Sequence, residues 1–123
     1  MSLRKTFQAM FTAAPRSAPA ECAHRVRSGE ALLVDVRESG EWTAGVAESA
    51  RLLSFGDLTG SRAKWAPFLA EVNGREVLLY CASGTRSGFA TRLLLAEGIW
   101  AANTGSLADW LDAGWPVVPP SRR

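Results

Sequence analysis

The sequence predicts an α/β fold in which a mostly parallel β-sheet is covered by helices on both faces. Short apolar runs at residues 31–36, 50–55, 77–80 and 99–103 alternate with stretches whose apolar residues recur at helical spacing. The run at 77–80 is continuous, which is typical of a strand buried on both faces. A chain of 123 residues with 47% apolar and 21% charged residues is expected to form one domain around one core.

Helix boundaries in the first half of the chain follow from capping residues. Ser17 suits an N-cap, Pro19 fits the first turn, and Gly29 suits the residue after the helix end. Ser39 is predicted to cap a short helix that continues through Ala44.

The second half of the chain carries three further helical segments. Pro67 is predicted to begin a new helix rather than lie within one, because proline is tolerated in the first turn. A helix over residues 88–97 is expected to end at Gly98. Ser106 is predicted to cap the last helix, in which Trp110 belongs to a stripe that faces the core.

A cysteine and an arginine follow the run at 77–80. Cys81 comes directly after it, and residues 82–86 are predicted to form a tight loop that leads into a helix N-terminus. Open α/β sheets bind ligands at this edge, and helix N-termini and cations lower a thiol pKa from about 8.5 to roughly 3.5–7.5. Gly84 permits positive φ, and the Arg86 fork suits an oxyanion. We therefore predict a Cys81 thiolate in an anion pocket; a buried structural cysteine is the alternative.

Three motifs follow one another along the chain in a defined order. They are Leu33-Val34-Asp35-Val36-Arg37-Glu38 with Glu41-Trp42, then Cys81-Ala82-Ser83-Gly84-Thr85-Arg86-Ser87, then Asn103-Thr104-Gly105-Ser106-Leu107-Ala108-Asp109-Trp110 with Ala113-Gly114-Trp115-Pro116-Val117. Together they resemble the signatures of the rhodanese family of sulfurtransferases in its single-domain form. The resemblance spans about residues 30–118, and the order of three motifs is more specific than any one of them.

The resemblance implies both a fold and a reaction. The fold is a rhodanese-like domain over residues 17–118 with a five-stranded, mostly parallel sheet, preceded by an extension or edge strand in residues 1–16 and followed by a flexible tail at 119–123. In the reaction, Cys81 takes a sulfane sulfur from a donor such as thiosulfate and passes it from a persulfide to a thiol, cyanide or protein acceptor. No metal or organic cofactor is needed. The implied substrate-binding residues are Ala82, Ser83, Gly84, Thr85, Arg86 and Ser87.

Two charged residues at the end of the run at 31–36 are expected to support the site. Asp35 either caps the following turn or fixes the cysteine loop or an arginine, and the resemblance favours the supporting role. Arg37 either adds positive potential at the mouth of the strand or forms an ion pair with Glu38 or Glu41.

The chain departs from the family pattern after Gly45. Val46, Glu48 and Ser49 stand where the pattern has histidine, proline and a second glycine. This departure leaves open a second function, a sulfur-carrier or interaction module with little turnover of its own.

A phosphatase or arsenate reductase is the third alternative. Those enzymes have five residues between cysteine and arginine, whereas Cys81 and Arg86 are separated only by residues 82–85. The shorter loop is expected to close around a sulfur atom and to exclude phosphate.

Composition limits the partners that we expect. The net charge is +2, and no basic stripe with interleaved aromatic residues predicts nucleic-acid binding. No apolar run reaches the roughly 18 residues of a membrane span, and no secretory signal is evident, so the cytoplasm is the expected location. A compact single domain is expected to be a monomer. Its partners would be a small anionic sulfur donor and a thiol or protein acceptor. Cys22 is assigned to the core or to a partly exposed helix rather than to a redox role, and His24 to an exposed helix, so no metal site is predicted.

Overall fold

The computed structural model describes residues 14–123 and has strands alternating with helices along most of that length. The strands are β1 Ala31–Asp35, β2 Val46–Ala47, β3 Arg51–Leu52, β4 Glu76–Cys81, β5 Ala101–Ser106 and β6 Val117–Val118. The helices are α1 Pro19–Ser28, α2 Ser39–Trp42, α3 Phe55–Leu58, α4 Trp65–Glu71, α5 Thr85–Ala96 and α6 Leu107–Asp112, and a 3₁₀ turn follows at Pro120–Arg122.

The main sheet is parallel, which confirms the predicted α/β class. Its strands lie in the order β3-β1-β4-β5, so β4 is central and every one of its residues is buried. The structure differs from the predicted count of five strands, because the sheet has four within residues 14–123. Within the described residues, the expected N-terminal edge strand is represented by a single parallel bridge between Arg16 and Asn103.

A second, smaller sheet was not predicted. In it, β2 pairs with β6 in antiparallel fashion, with Val46 opposite Val118 and Ala47 opposite Val117. Strands of two residues carry too little periodicity to be recognised from sequence.

Helices cover both faces of the main sheet, as predicted. On one face, Val26 of α1 and Trp110 of α6 pack with Leu33, Leu78 and other residues of the strands. The other face carries α3, α4 and α5, whose buried core residues are Leu58, Trp65, Phe68, Ala90, Leu93 and Leu94. Neighbouring residues of a strand point to opposite faces, so Tyr80 belongs to the first core and Cys81 to the second.

Several helix boundaries differ from the prediction. Pro67 does not begin a helix; it is the third residue of α4, where its missing N–H falls among donors that have no helical partner. The predicted strand at 50–55 is reduced to β3, because the Ser54 side chain accepts a hydrogen bond from the Asp57 amide and so begins α3. Ser106 caps α6 as expected, whereas Ala18 rather than Ser17 precedes α1.

In the part of the chain that the structure describes, no helix combines the length and the apolar character that crossing a membrane requires. The expectation of an extension or edge strand in residues 1–16 falls mostly on residues 1–13, which lie outside the described residues. The expected tail contains the 3₁₀ turn.

Candidate active site

Cys81 is the last residue of the central strand, at the carboxyl edge of the sheet. The register between β4 and β5 shifts after Leu79, and Cys81 pairs with Ser106. The chain then turns through Gly84, whose φ of 91° lies in the left-handed region, and α5 begins at Thr85. A residue with a Cβ is strained at this φ, so glycine is what lets the loop turn back toward the sulfur atom.

The sulfur atom of Cys81 faces hydrogen-bond donors. The Gly84 amide donates to Sγ at 3.0 Å, and the Ser87 hydroxyl lies 3.4 Å from it. Burial by itself would raise the pKa of the Cys81 thiol, but hydrogen bonds from the Ser87 hydroxyl and from the amides of Ser87, Ser83 and Gly84 outweigh it and lower the pKa. The surroundings therefore favour the thiolate, although the Cys81 residue is 0% exposed.

A buried amide on β5, which the sequence analysis missed, fixes this loop. Asn103 Oδ1 accepts hydrogen bonds from the Ser87 hydroxyl at 2.7 Å and from the Gly105 amide at 3.0 Å. Its Nδ2 donates to the Gly84 carbonyl at 3.0 Å. Asn103 thus ties the loop and the first turn of α5 to the neighbouring strand. The available signal was a polar residue at the end of the apolar run at 99–103.

Arg86 forms a two-pronged ion pair. Its Nη1 and Nη2 donate to Oε1 and Oε2 of Glu41 at 2.7 and 3.0 Å. The Arg86 guanidinium holds the pKa of the Glu41 carboxyl at about 2, and the carboxylate in turn raises the pKa of Arg86. The cation that was expected to serve the anion pocket therefore already has an anionic partner.

Asp35 and Arg37 form a buried ion pair at the carboxyl end of β1. Arg37 Nη2 donates to Asp35 Oδ2 at 2.9 Å, so the ion pair that was considered with Glu38 or Glu41 is not the one formed. Asp35 also accepts hydrogen bonds from the Tyr80 hydroxyl at 2.6 Å and from Trp42 Nε1 at 3.3 Å. Asp35 thus orients the Arg37 guanidinium, and it also caps the following turn, because the Arg37 amide donates to its Oδ1 at 2.8 Å.

This network also holds the segment that departs from the family pattern. Arg37 Nη2 donates to the Gly45 carbonyl at 2.7 Å, and the Ala47 amide donates to the Tyr80 hydroxyl at 2.9 Å. Ser49 has a φ of 71°, a conformation that suits the glycine of the pattern. The backbone therefore turns in a left-handed conformation although the residue is serine.

The remaining residues singled out from the sequence lie apart from the sulfur atom or at the rim of the loop. Ala82, Ser83 and Thr85 are exposed, and the hydroxyl groups of the last two are 3.3 Å apart. His24 is exposed on α1, and Cys22 is buried in the core on the opposite face of the sheet from Cys81.

Comparison with known proteins adds to this geometry. A family model described as the rhodanese-like domain matches residues 18–113, which is most of the chain. A search of curated proteins finds no match.

Solved structures with the same fold include three proteins whose described functions differ. A rhodanese-related protein from Thermoplasma volcanium is 24% identical, with a TM-score of 0.69 over 85% of this chain and 97% of that one. A Rhodopseudomonas palustris protein of unknown function, described as a possible tyrosine phosphatase, is 24% identical, with a TM-score of 0.71 over 93% and 91%. The human single-domain sulfurtransferase is 25% identical, with a TM-score of 0.61 over 80% and 96%. With the family model matching most of its length, the chain belongs to the rhodanese-like domain family.

Proposed function

We propose that this protein is a sulfurtransferase that carries a sulfane sulfur on Cys81. The observation that supports this most directly is the Gly84 amide, which donates to the Cys81 sulfur atom at 3.0 Å; the Ser87 hydroxyl lies 3.4 Å from the same atom and shares its single proton between it and Asn103 Oδ1. Donors stabilise an anionic sulfur atom, and an activated thiolate is what sulfur transfer requires.

The reaction proceeds in two displacements. The Cys81 thiolate attacks the outer sulfur of thiosulfate, the S–S bond of the donor breaks, and sulfite leaves with the bonding electron pair. The resulting persulfide anion faces the donors that held the thiolate. An acceptor thiolate, cyanide or a protein cysteine then attacks the outer sulfur, and Cys81 returns as thiolate. Ping-pong kinetics follow from this order.

The size of the loop favours sulfur transfer over phosphate chemistry. Between Cys81 and Arg86 there are only residues 82–85, and the amide of Gly84 already lies at hydrogen-bond distance from the sulfur atom. A tetrahedral phosphate would need a wider ring of amides. This argument applies even though one structural relative is described as a possible phosphatase.

A carrier module with little turnover is the second candidate, and the burial of Cys81 favours it. The cysteine is 0% exposed, so the loop has to admit each donor and acceptor. Both functions share the persulfide and a small anionic donor, and they differ in the rate with a free thiol. Both cysteines are free, as is usual for proteins of a reducing compartment such as the cytoplasm.

Mass spectrometry after incubation with thiosulfate tests the proposal. We expect a gain of one sulfur atom on Cys81, removed by a free thiol or by cyanide. Cys22→Ser is the matched control, because it removes the other thiol and should leave the adduct in place. A folded protein that gains no sulfur from thiosulfate or from an organic persulfide would contradict the proposal.

A further inference from the structure

The arginine at the start of α5, Arg86, already binds an anion from its own chain. Glu41 engages both terminal nitrogens of Arg86, at 2.7 and 3.0 Å, in the fork-to-fork geometry that gives the strongest arginine–carboxylate pairs. An incoming oxyanion must therefore share or displace this carboxylate to use the same nitrogens.

Glu41 is also held from other directions. Its Oε1 accepts a hydrogen bond from the Glu38 amide at 3.0 Å, which completes a capping box at the start of α2. Its main-chain carbonyl accepts a hydrogen bond from Arg37 Nη1 at 3.3 Å, and Arg37 is fixed by the buried Asp35. The carboxylate is thus built into the rim of the site.

The charge balance around Arg86 is consequently not positive. One carboxylate neutralises the guanidinium, and the charges of Glu38 and of the Cys81 thiolate act on it as well. Arg37, the nearby cation, is paired with Asp35. Across a distance of several ångströms near a protein surface, one unit charge changes the affinity for a singly or doubly charged ligand by about three- to tenfold.

We propose that Glu41 is a specificity-determining residue that directs the site toward sulfane donors of low negative charge. The donor class is the persulfides of small thiols, R–S–SH, in preference to the thiosulfate dianion. This inference rests on the proposed sulfur transfer. The Cys81 thiolate attacks the outer sulfur of R–S–SH, the donor S–S bond breaks, R–S⁻ leaves with the electron pair, and Cys81–S–SH remains. Cysteine persulfide, in which the charges of the ammonium and carboxylate groups cancel, is a donor of this kind.

The test compares Glu41→Gln with Glu71→Gln. Glutamine is compatible with the capping box, so the fold of α2 is preserved. Glu71 pairs with Arg51 on the surface, so its substitution removes the same charge and the same kind of ion pair. We expect the KM for thiosulfate to fall about three- to tenfold in Glu41→Gln. The KM for cysteine persulfide should not fall, and Glu71→Gln should match the wild type with both donors.

A KM for thiosulfate that is unchanged or higher in Glu41→Gln would overturn the inference, and so would a wild-type protein that prefers thiosulfate to cysteine persulfide. A second measurement distinguishes failure of this inference from failure of the proposed function. It is the affinity for sulfite, determined by calorimetry, of Cys81→Ala and of the double variant Cys81→Ala with Glu41→Gln. If no donor leaves sulfur on Cys81 in any variant, the sulfur transfer is wrong. Tighter sulfite binding in the double variant would still support the charge role of Glu41, and equal binding would overturn it.

Discussion

Two buried cysteines in this chain lie in opposite chemical surroundings. Cys22 and Cys81 are both 0% exposed. The Cys22 thiol donates toward the carbonyl oxygens of Ala18 and Pro19, at 3.4 and 3.7 Å, and burial raises its pKa more than its other contacts lower it. Cys81 instead accepts a hydrogen bond from the Gly84 amide at 3.0 Å, and its pKa is lowered despite burial. Burial alone therefore does not decide whether a thiol is inert; the hydrogen-bond donors around it do.

The largest expected difference is chemical. Cys81→Ser should abolish the gain of sulfur from any donor, because the hydroxyl of serine is not ionised at neutral pH. Cys22→Ser should retain the full adduct. Intact mass measured after donor treatment gives both results. An adduct that persists in Cys81→Ser and disappears in Cys22→Ser would reverse the comparison.

Removal of one hydrogen-bond donor near Sγ should raise the pKa of the Cys81 thiol and so bring it closer to that of Cys22. In Ser87→Ala the hydroxyl near Sγ is lost. Its single proton is shared with Asn103 Oδ1, so we take the lower end of the about 1.5–3 kcal/mol that a hydrogen bond to a charged group is worth. We expect the pH midpoint of persulfide formation to move upward by about one unit. Thr91→Val, which removes a hydroxyl that donates to the Ser87 carbonyl, is the control on the same helix and should leave the midpoint in place.

Two glycines with similar backbone angles distinguish the effect of a substitution on stability from its effect on the Cys81 thiol. Gly84 in the Cys81 loop has a φ of 91°, and Gly29 at the end of the helix that carries Cys22 has a φ of 82°. Alanine at either position should lower the free energy of unfolding by about 1 kcal/mol. Only Gly84→Ala should also raise the pKa of the Cys81 thiol, because the amide of residue 84 would shift. Denaturant unfolding and thiolate absorbance measure the two effects, and an equal effect of both variants on the thiol would refute the role of the amide.

The smallest expected effect is on stability as a function of pH. A lowered folded-state pKa means that Cys81 contributes stability above the ordinary thiol pKa of about 8.5, and this stability is lost as the pH falls through the folded value. Cys22 has a raised pKa, so its contribution is present below about pH 8.5 and is lost as the pH rises through the folded value. As the pH rises toward about 8.5, the Cys81→Ser variant should therefore gain less stability than the wild-type protein. As the pH rises above about 8.5, the Cys22→Ser variant should lose less stability than the wild-type protein. Urea unfolding across this pH range would show whether the two substitutions change the pH dependence of stability in opposite directions.

Local sequence signals predicted the strand, the cysteine and the turn, because a continuous apolar run and a glycine act within a few residues. Contacts made across the sheet were not predictable in the same way. The partners Ser87 and Asn103, Arg86 and Glu41, and Tyr80 and Asp35 are 16, 45 and 45 residues apart. These contacts depend on strand order and register, which apolar patterns do not specify.

In the segment after Gly45 the sequence departs from the family pattern, but the backbone does not follow that departure. Its angle at Ser49 still suits the glycine of the pattern. Ser49 has a φ of 71°, and the Glu48 carbonyl accepts a hydrogen bond from Trp115 Nε1 at 2.8 Å. This tertiary hydrogen bond anchors the residue before Ser49, and Ser49 itself keeps a strained backbone angle. The substitution of the glycine by Ser49 is therefore not accompanied by the loss of the left-handed backbone angle.

The most direct test of this account is the thiolate absorbance of the folded protein as a function of pH. The titration is carried out on Cys22→Ser, which reports Cys81, and on Cys81→Ser, which reports Cys22. We expect the Cys81 thiol to ionise below the ordinary midpoint of about 8.5 and the Cys22 thiol to ionise above it. A Cys81 midpoint at or above that of Cys22 would contradict the claim that the loop donors activate this sulfur atom.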